Sequence, residues 1–532
     1  MMKKIIASAI LLTAALGLSA CQDDGPKQSV TLLSGSENKS LYPIVEAFAK
    51  KQGVDIHIKG RGSVDIMLDI RSGTKAEADI VWPAASLWLE LGDTQKVVKH
   101  EKSIMRSPVV FWVKKEKAKE LNWIGKDTSL TDIVEASEAG LTFGMTSATQ
   151  SNSGAMSYFA MLSSAAGQPN VLSLKDIENT DVQSRVERLL KRVDRTSGSS
   201  GWLGDLYLEH PDAMDAMFNY EAVGIEVNRE LEKQGKEPLC AIYPVDGIAI
   251  ADSPLAYIDK GDSEEDKAKE AFFLKLQEHL LSDDVQAELA ASGRRVGPLG
   301  LSSSTLSKDV FKPDWCINLD RSINALNLPS QKVIEAALRL YQGTSRRPSE
   351  IAFLLDYSGS MKGEGNEQMV SSLANLFLEE KARDFFLETT KGDIFYVIPF
   401  NGLAGEPVSA TGASNEEMAA LYDYVQRLLP DGGTNIYTAV SKGLSVLQNS
   451  GNGKTHSQMV LLLTDGVSDG DLADIQYLFD PSPARNIPVF SILFGDASED
   501  QVKKLAELTA ARVFDGRKGL VTAFRNARGY AN

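Results

Sequence analysis

From Ser29 to about residue 300 the chain alternates short apolar runs with amphipathic stretches. "SVTLLSG" reads as a strand. "LYPIVEAFAKKQG" repeats apolar positions at helical spacing and closes at Gly53. "VDIHIKG" and "ADIVWPA" read as further strands, with "VDIMLDIRSG" as a short helix between them. The rhythm continues through "SPVVFWVKK", "LTFGMTSATQSNSGAMSYFAMLSSAAG", "LCAIYPVDGIAIAD" and a last long helix over "DKAKEAFFLKLQEHLLSDDVQAELAASG", residues 266–293. Strands alternating with helices predict an α/β fold with a largely parallel sheet. Residues 301–348 read differently. They begin turn-rich, contain one helix in "PSQKVIEAALRLYQG", and end in "TSRRPSE", which reads as a short linker. A second α/β region then runs over 349–532, with two continuous apolar runs at Ile351–Leu355 and Met459–Leu463. Such runs fit strands buried on both faces of a sheet.

The first twenty residues stand outside this pattern. Lys3 and Lys4 precede an apolar stretch from Ile5 to Leu18, too short to span a bilayer, which ends in small residues. Residues 1–20 therefore read as a secretory signal. "LSAC" resembles a bacterial lipobox, which implies cleavage before Cys21, a diacylglycerol on its sulfur and a polar tether over 21–28. The expected location is exported and lipid-anchored, facing periplasm or exterior. The membrane is expected to be touched through that anchor only.

Composition narrows the function. The chain has 532 residues, too many for one core, and 43% of them are hydrophobic. A formal net charge of −16 argues against nucleic acid as a partner. Beyond Cys21 only Cys240 and Cys316 remain. In an oxidising compartment two readings stay open, a bridge between them or two buried thiols.

Residues 29–300 resemble a two-lobed, type II extracellular solute-binding protein of the periplasmic-binding-protein kind. The resemblance rests on the order of "LLSGSENKSL", "ADIVWPAASLWLELG", the crossover strands "MRSPVVFWVKK" and "YPVDGIAIADSP", and the closing "FFLKLQEHLLSDDVQAELAASGRRVGP". Three Ser/Gly-rich strand ends open helices in this region and would offer unpaired N–H groups to an oxyanion. They nominate Ser34, Ser36, Ser63, Ser147, Ser151 and Ser153 as ligand-binding residues for a small anionic or polar solute. The same residue types are also ordinary helix caps. Arg61 could add charge to the site, and Tyr220, Glu221, Tyr243 and Asp246 lie where family members sometimes place ligand contacts.

The second region carries the clearest chemistry. "FLLDYSGSM" ends an apolar strand in Asp356, Ser358 and Ser360. "DGGTNIYTAV" places Thr434 at a helix start, and "QMVLLLTDGVSDGD" ends a second apolar strand at Asp465. In an open parallel sheet, ligands sit beyond the carboxyl ends of the strands. Two carboxylates and three hydroxyls are hard donors that suit Mg²⁺, with Mn²⁺ or Ca²⁺ also compatible. Asp469 and Asp471 read as helix-start residues rather than ligands.

This D-x-S-x-S, T, D order resembles the metal-ion-dependent adhesion site of the von Willebrand factor type A (VWA) domain. The resemblance implies a doubly wound, Rossmann-like fold and a metal shell of Asp356, Ser358, Ser360, Thr434 and Asp465. It also implies a protein partner that completes the shell with an acidic side chain. The five histidines fall in no motif, and no phosphate loop or nucleophile elbow occurs, so no enzyme is expected. The expectation is therefore adhesion or complex assembly at the envelope. Solute capture for an ABC transporter, with the second domain as a docking module, is the main alternative. A metal-dependent hydrolase is the weaker one.

Overall fold

The first apolar runs pair with each other, but their sheet is completed from far along the chain. The computed structural model describes residues 28–297, 306–320, 325–384, 386–465, 467–493, 499–518 and 520–529. The signal segment, Cys21 and the tether up to residue 27 lie outside the described residues. In the first lobe the strand order is Asp55–Arg61, Ser29–Gly35, Ile80–Trp82, Pro254–Ile258, Val98–Ser103. The first three run parallel, and Pro254–Ile258 runs antiparallel to both of its neighbours. The second lobe holds six strands built around Ser107–Lys114, Ala216–Tyr220, Phe143–Thr146 and Val193–Ser197.

The chain crosses between lobes at 103–107 and again at 251–254. A third crossing is made at Arg295, whose backbone exchanges two hydrogen bonds with Arg106. The hinge here is a buried ion pair. Arg295 donates to both carboxylate oxygens of Glu221 at 2.7 and 2.8 Å, and Tyr243 donates to the same carboxylate. Glu221 and Tyr243, candidates for ligand contact from sequence, are thus hinge residues. Tyr220 accepts from Asn152, and Asp246 accepts from Leu130 N–H and from Ser164.

The segment after the lobes packs on the second one. Cys240 and Cys316 are disulfide-bonded, with their Cα atoms 5.1 Å apart. Trp315 is fully buried and donates from its indole to Glu232 at 3.0 Å. The helix Gln331–Leu340 buries Val333, Ile334, Ala337 and Leu338 in the second lobe's core. The stretch expected to be a short linker is buried: Ser345 and Arg346 are each 2% exposed. The Arg346 guanidinium reaches Asp393 in the next domain at 3.0 and 2.5 Å.

That domain is a six-stranded sheet in the order Val408–Thr411, Ile394–Phe400, Ser349–Asp356, Ser457–Thr464, Val489–Leu493, Val513–Asp515. Only the Val408–Thr411 edge is antiparallel. Side chains alternate across a strand, and here the alternation divides the central strand between two cores. Ile351, Phe353 and Leu355 face one core, while Ala352 and Leu354 face the other, under the helix Ile436–Asn449. Helices thus cover both faces, as in a doubly wound sheet. Both central strands end at the same edge, at Asp356 and Thr464.

Candidate functional site

At that edge, Asp356 is fully buried at the end of its strand. One of its oxygens accepts from Ser358 N–H at 2.8 Å and the other from the Thr464 hydroxyl at 2.6 Å. The loop then turns so that the Ser358 and Ser360 hydroxyls lie 3.0 Å apart, and Ser360 donates to Asp465 at 3.0 Å. Burial pushes the Asp356 carboxyl above its ordinary range, against the pull of the hydrogen bonds from Thr464 and Ser358.

The Thr434 loop is held beside this chain by backbone. Gly359 N–H donates to Gly432 C=O at 2.9 Å, and Asp469 N–H donates to Thr434 C=O at 2.8 Å. Asn435 caps the helix that follows, and the Ser468 hydroxyl accepts from Ile436 N–H at 2.8 Å. Asp471 caps a short helical turn at Leu472–Asp474. Among the described residues no group of three or more His, Cys, Asp or Glu is placed to hold a metal. A cation at this edge would instead rest on two carboxylates and three hydroxyls, a donor set that fits a hard divalent ion. The residues that would hold it are Asp356, Ser358, Ser360, Thr434 and Asp465.

The four most exposed large apolar side chains of the described residues flank the same edge. Leu403, Leu429, Val467 and Tyr477 are 76, 85, 66 and 80% exposed. They sit in the loops that follow the strand Ile394–Phe400, precede Thr434 and follow Thr464. Exposed apolar residues concentrated at one site mark an interaction surface more often than single scattered ones do.

The lobes enclose a cavity of about 390 Å³ that also involves the C-terminal domain. Lys39 and Arg61 line it from the first lobe, Trp202 and Asp205 from the second, and Arg512 and Asn526 from the C-terminal domain. The helix Ser200–Glu209 starts at its wall, capped by Ser199. Arg512 lies over the Trp202 ring, 5.8 Å from its centroid.

Of the six candidate serines, only Ser36 lines this cavity. The others are buried with internal partners. Ser34 accepts from Asn38, Ser63 accepts from Ala84 N–H at 3.0 Å, and Ser147, Ser151 and Ser153 bond with neighbouring hydroxyls. The loop at 146–153 is covered instead by the C-terminal helix Leu520–Gly529. From that helix Arg525 pairs with Asp65 of the first lobe and donates to Thr149 C=O of the second at 3.0 Å. Gln150 in turn donates to Arg525 C=O.

Sequence reasoning missed the Ser199 wall, although "TSGSSGW" has the same Ser/Gly-to-helix signature as the loops it selected. Arg512, Arg525 and Asn526 carry no local signal, because only docking of the C-terminal domain brings them to the lobes.

Comparison with known proteins follows the same division. Residues 30–295 match the family model for bacterial extracellular solute-binding proteins. Residues 350–519 match that for the von Willebrand factor type A domain. Human inter-alpha-trypsin inhibitor heavy chain H2 is 27% identical over 168 residues, 30% of this chain and 17% of that protein. Rat voltage-dependent calcium channel subunit alpha-2/delta-3 is 29% identical over 176 residues, 31% of this chain and 15% of that protein. The chain thus spans less than a fifth of the length of these curated relatives. Among solved structures, a ferric binding protein from Campylobacter jejuni aligns with a TM-score of 0.41 at 16% identity, covering 59% of this chain and 98% of that one. A sulfate-binding protein from Mycobacterium tuberculosis aligns with a TM-score of 0.37 at 19% identity, covering 51% and 88%.

Proposed function

The chain belongs to the bacterial extracellular solute-binding proteins, and from that premise we propose an exported lipoprotein whose lobes serve a metal-dependent protein-binding domain. The observation that carries this reading is the carboxyl edge of the last sheet. Ser358, Ser360 and Asp465 are linked there by hydrogen bonds beside Asp356, the Thr434 loop is held alongside by backbone, and the exposed Leu403, Leu429, Val467 and Tyr477 lie in the neighbouring segments. A divalent cation in that shell would offer a position to a partner's carboxylate, while the apolar rim would bury the partner's flanking side chains. One curated relative is by its name a channel subunit, a protein that works within an assembly, which supports protein interaction here. The reading is of a binding protein. Of the described histidines, His100 lies beside Glu270 and His456 beside Gly392 C=O. Retention of an envelope protein on immobilised residues 22–532 in Mg²⁺, lost in EDTA and with Asp356→Ala, would support the reading. Equal retention in both buffers would sink it.

A second reading, solute capture for a transporter, is favoured by the enclosed cavity. Lys39, Arg61, Arg512 and a helix N-terminus outweigh Asp205 there, which suits a small anion. Arg525 joins the two readings. It contacts Asp65 and Thr149 across the lobes from the C-terminal domain, so one side chain bears on both lobe closure and domain position. In the full chain a cleft solute should shift partner affinity by about 5–150-fold, the usual range of coupling between sites. Arg525→Ala should remove that shift while leaving Mg²⁺ binding intact. Titration of partner with and without solute reads both, and an unchanged shift in the variant would exclude Arg525 as the link.

A further inference from the structure

A second cavity, of about 560 Å³, lies between the second lobe and the opposite end of the C-terminal sheet. Its walls carry Lys191, Arg192, Arg195, Arg347, Lys454 and Arg485, against a single carboxylate, Asp194. That concentration of positive charge occurs in a chain whose net charge is −16.

The cations are not structural pairs. Among the described residues Lys191 alone of the six has an ion-pair partner, Glu187 at 2.6 Å. Arg347 donates to Gly453 C=O at 3.1 Å, a neutral acceptor. Asp194 is itself engaged, accepting from Phe143 N–H at 2.9 Å. Glu350, next to the strand that lines the cavity, is buried and accepts from Gln458, Asn452, Ser450 and Tyr396. Burial pushes the Arg195 and Arg347 guanidiniums below their ordinary range, with only Asp194 opposing it. Like charges facing one half-enclosed space repel, and Asp194, with Asp212 beside Arg485, offsets only part of that charge.

This cavity is not the metal edge. Its walls include Ser457, Gln458 and Pro488, at the amino-end edge of the sheet, opposite the carboxyl-end edge of Asp356 and Asp465. A strand rises about 3.3 Å per residue, so the eight-residue strand Ser457–Thr464 separates the two sites by roughly 23 Å. It is not the interlobe cavity either, with which it shares no residue.

We propose that this interdomain cavity binds a polyanion carrying two or more phosphate groups, either a free phosphorylated compound or a phosphate-bearing lipid headgroup. Arginine forks match phosphate oxygens bidentately, and the cavity's volume suits a ligand of that size. Because the walls come from both the lobe and the C-terminal domain, a bound polyanion would tie the two together. The proposal is independent of the metal and solute readings.

Inorganic tripolyphosphate is the probe, titrated calorimetrically into the full chain at low salt. One saturable site is expected, with affinity falling as salt is raised. Orthophosphate should bind about ten-fold more weakly, having fewer oxygens to share among the arginines. Arg195→Ala combined with Arg347→Ala should cost more than about ten-fold. Lys454 is exposed, so Lys454→Ala should leave the melting temperature unchanged and still weaken binding about three-fold. Lys442→Ala, outside the cavity, should change nothing. Sedimentation with cardiolipin-containing vesicles, whose headgroup carries two phosphates, separates the sources. Vesicle binding lost in the double variant, without saturable tripolyphosphate binding, assigns the site to a headgroup, and the reverse assigns it to a free polyanion. If neither probe saturates at millimolar concentration, or if both bind the variants as they bind the wild type, the proposal is wrong.

Discussion

Replacing Asp393 by alanine is expected to destabilise the C-terminal domain by about 3–5 kcal/mol, because it strands two buried guanidiniums around one vanished carboxylate. Asp393 is fully buried and Arg346 and Arg528 are nearly so. The Asp393 oxygens accept from Arg346 at 3.0 and 2.5 Å and from Arg528 at 3.4 Å. They also take the backbone N–H groups of Ser349 and Thr390, each at 2.8 Å. The pair joins the end of the connecting segment to the last helix, so one residue holds the entry and exit of the domain. Burial alone would raise the Asp393 carboxyl, but Arg346, Arg528 and the backbone donors outweigh it and hold the group below its ordinary range.

The sign of the pH dependence follows. A carboxyl depressed in the folded state contributes stability that is present above its unfolded value of about 4 and is lost as pH falls through the folded value. Urea denaturation of wild type from neutral pH downward should show this component disappearing at acid pH. Asp393→Asn keeps the shape without the charge. It should start less stable at neutral pH and lack that component. Equal midpoints for wild type and Asp393→Asn at neutral pH would show that the guanidiniums find other acceptors.

The parts of this protein that were legible in sequence are those whose signal is local. Ile351–Leu355 and Met459–Leu463 are uninterrupted apolar runs, which only central strands of a covered sheet accommodate; Asp356 follows the first directly and Asp465 follows the second after Thr464. The three loops that carry the candidate donors are far apart in the chain, yet a parallel sheet brings strand ends together whatever the spacing. The cleft was less legible because serine does two jobs. Ser63 holds Ala84 N–H and Ser36 lines the cavity, and nothing in the local residues separates the two cases. The joints between domains were illegible. Arg525 and Asp65 are 460 positions apart, and Arg346 looks like an exposed linker arginine until Asp393 is placed beneath it.

Mg²⁺ is expected to raise the melting temperature of the wild-type chain relative to EDTA, and Asp356→Ala to abolish that rise. A cation at a hundred times its dissociation constant stabilises by about 2.7 kcal/mol. Asp356 supplies one of only two formal negative charges in the shell. Loss of a supporting group costs 10–100-fold in metal affinity, so loss of this direct charge should cost at least about 100-fold. Asp356→Ala is not sufficient alone, since it also leaves the Thr464 hydroxyl and Ser358 N–H without their acceptor and lowers stability in EDTA too. Ser360 separates the effects. Its side chain is exposed and its hydroxyl bonds only with Asp465 and the Ser358 hydroxyl, so Ser360→Ala should melt close to wild type in EDTA. It should need about ten-fold more Mg²⁺ for the same rise. If Mg²⁺ raises the melting temperature of wild type, Asp356→Ala and Ser360→Ala alike, the ion binds elsewhere. The edge formed by Asp356, Thr434 and Asp465 would then be a hydrogen-bonded sheet end and not a metal centre.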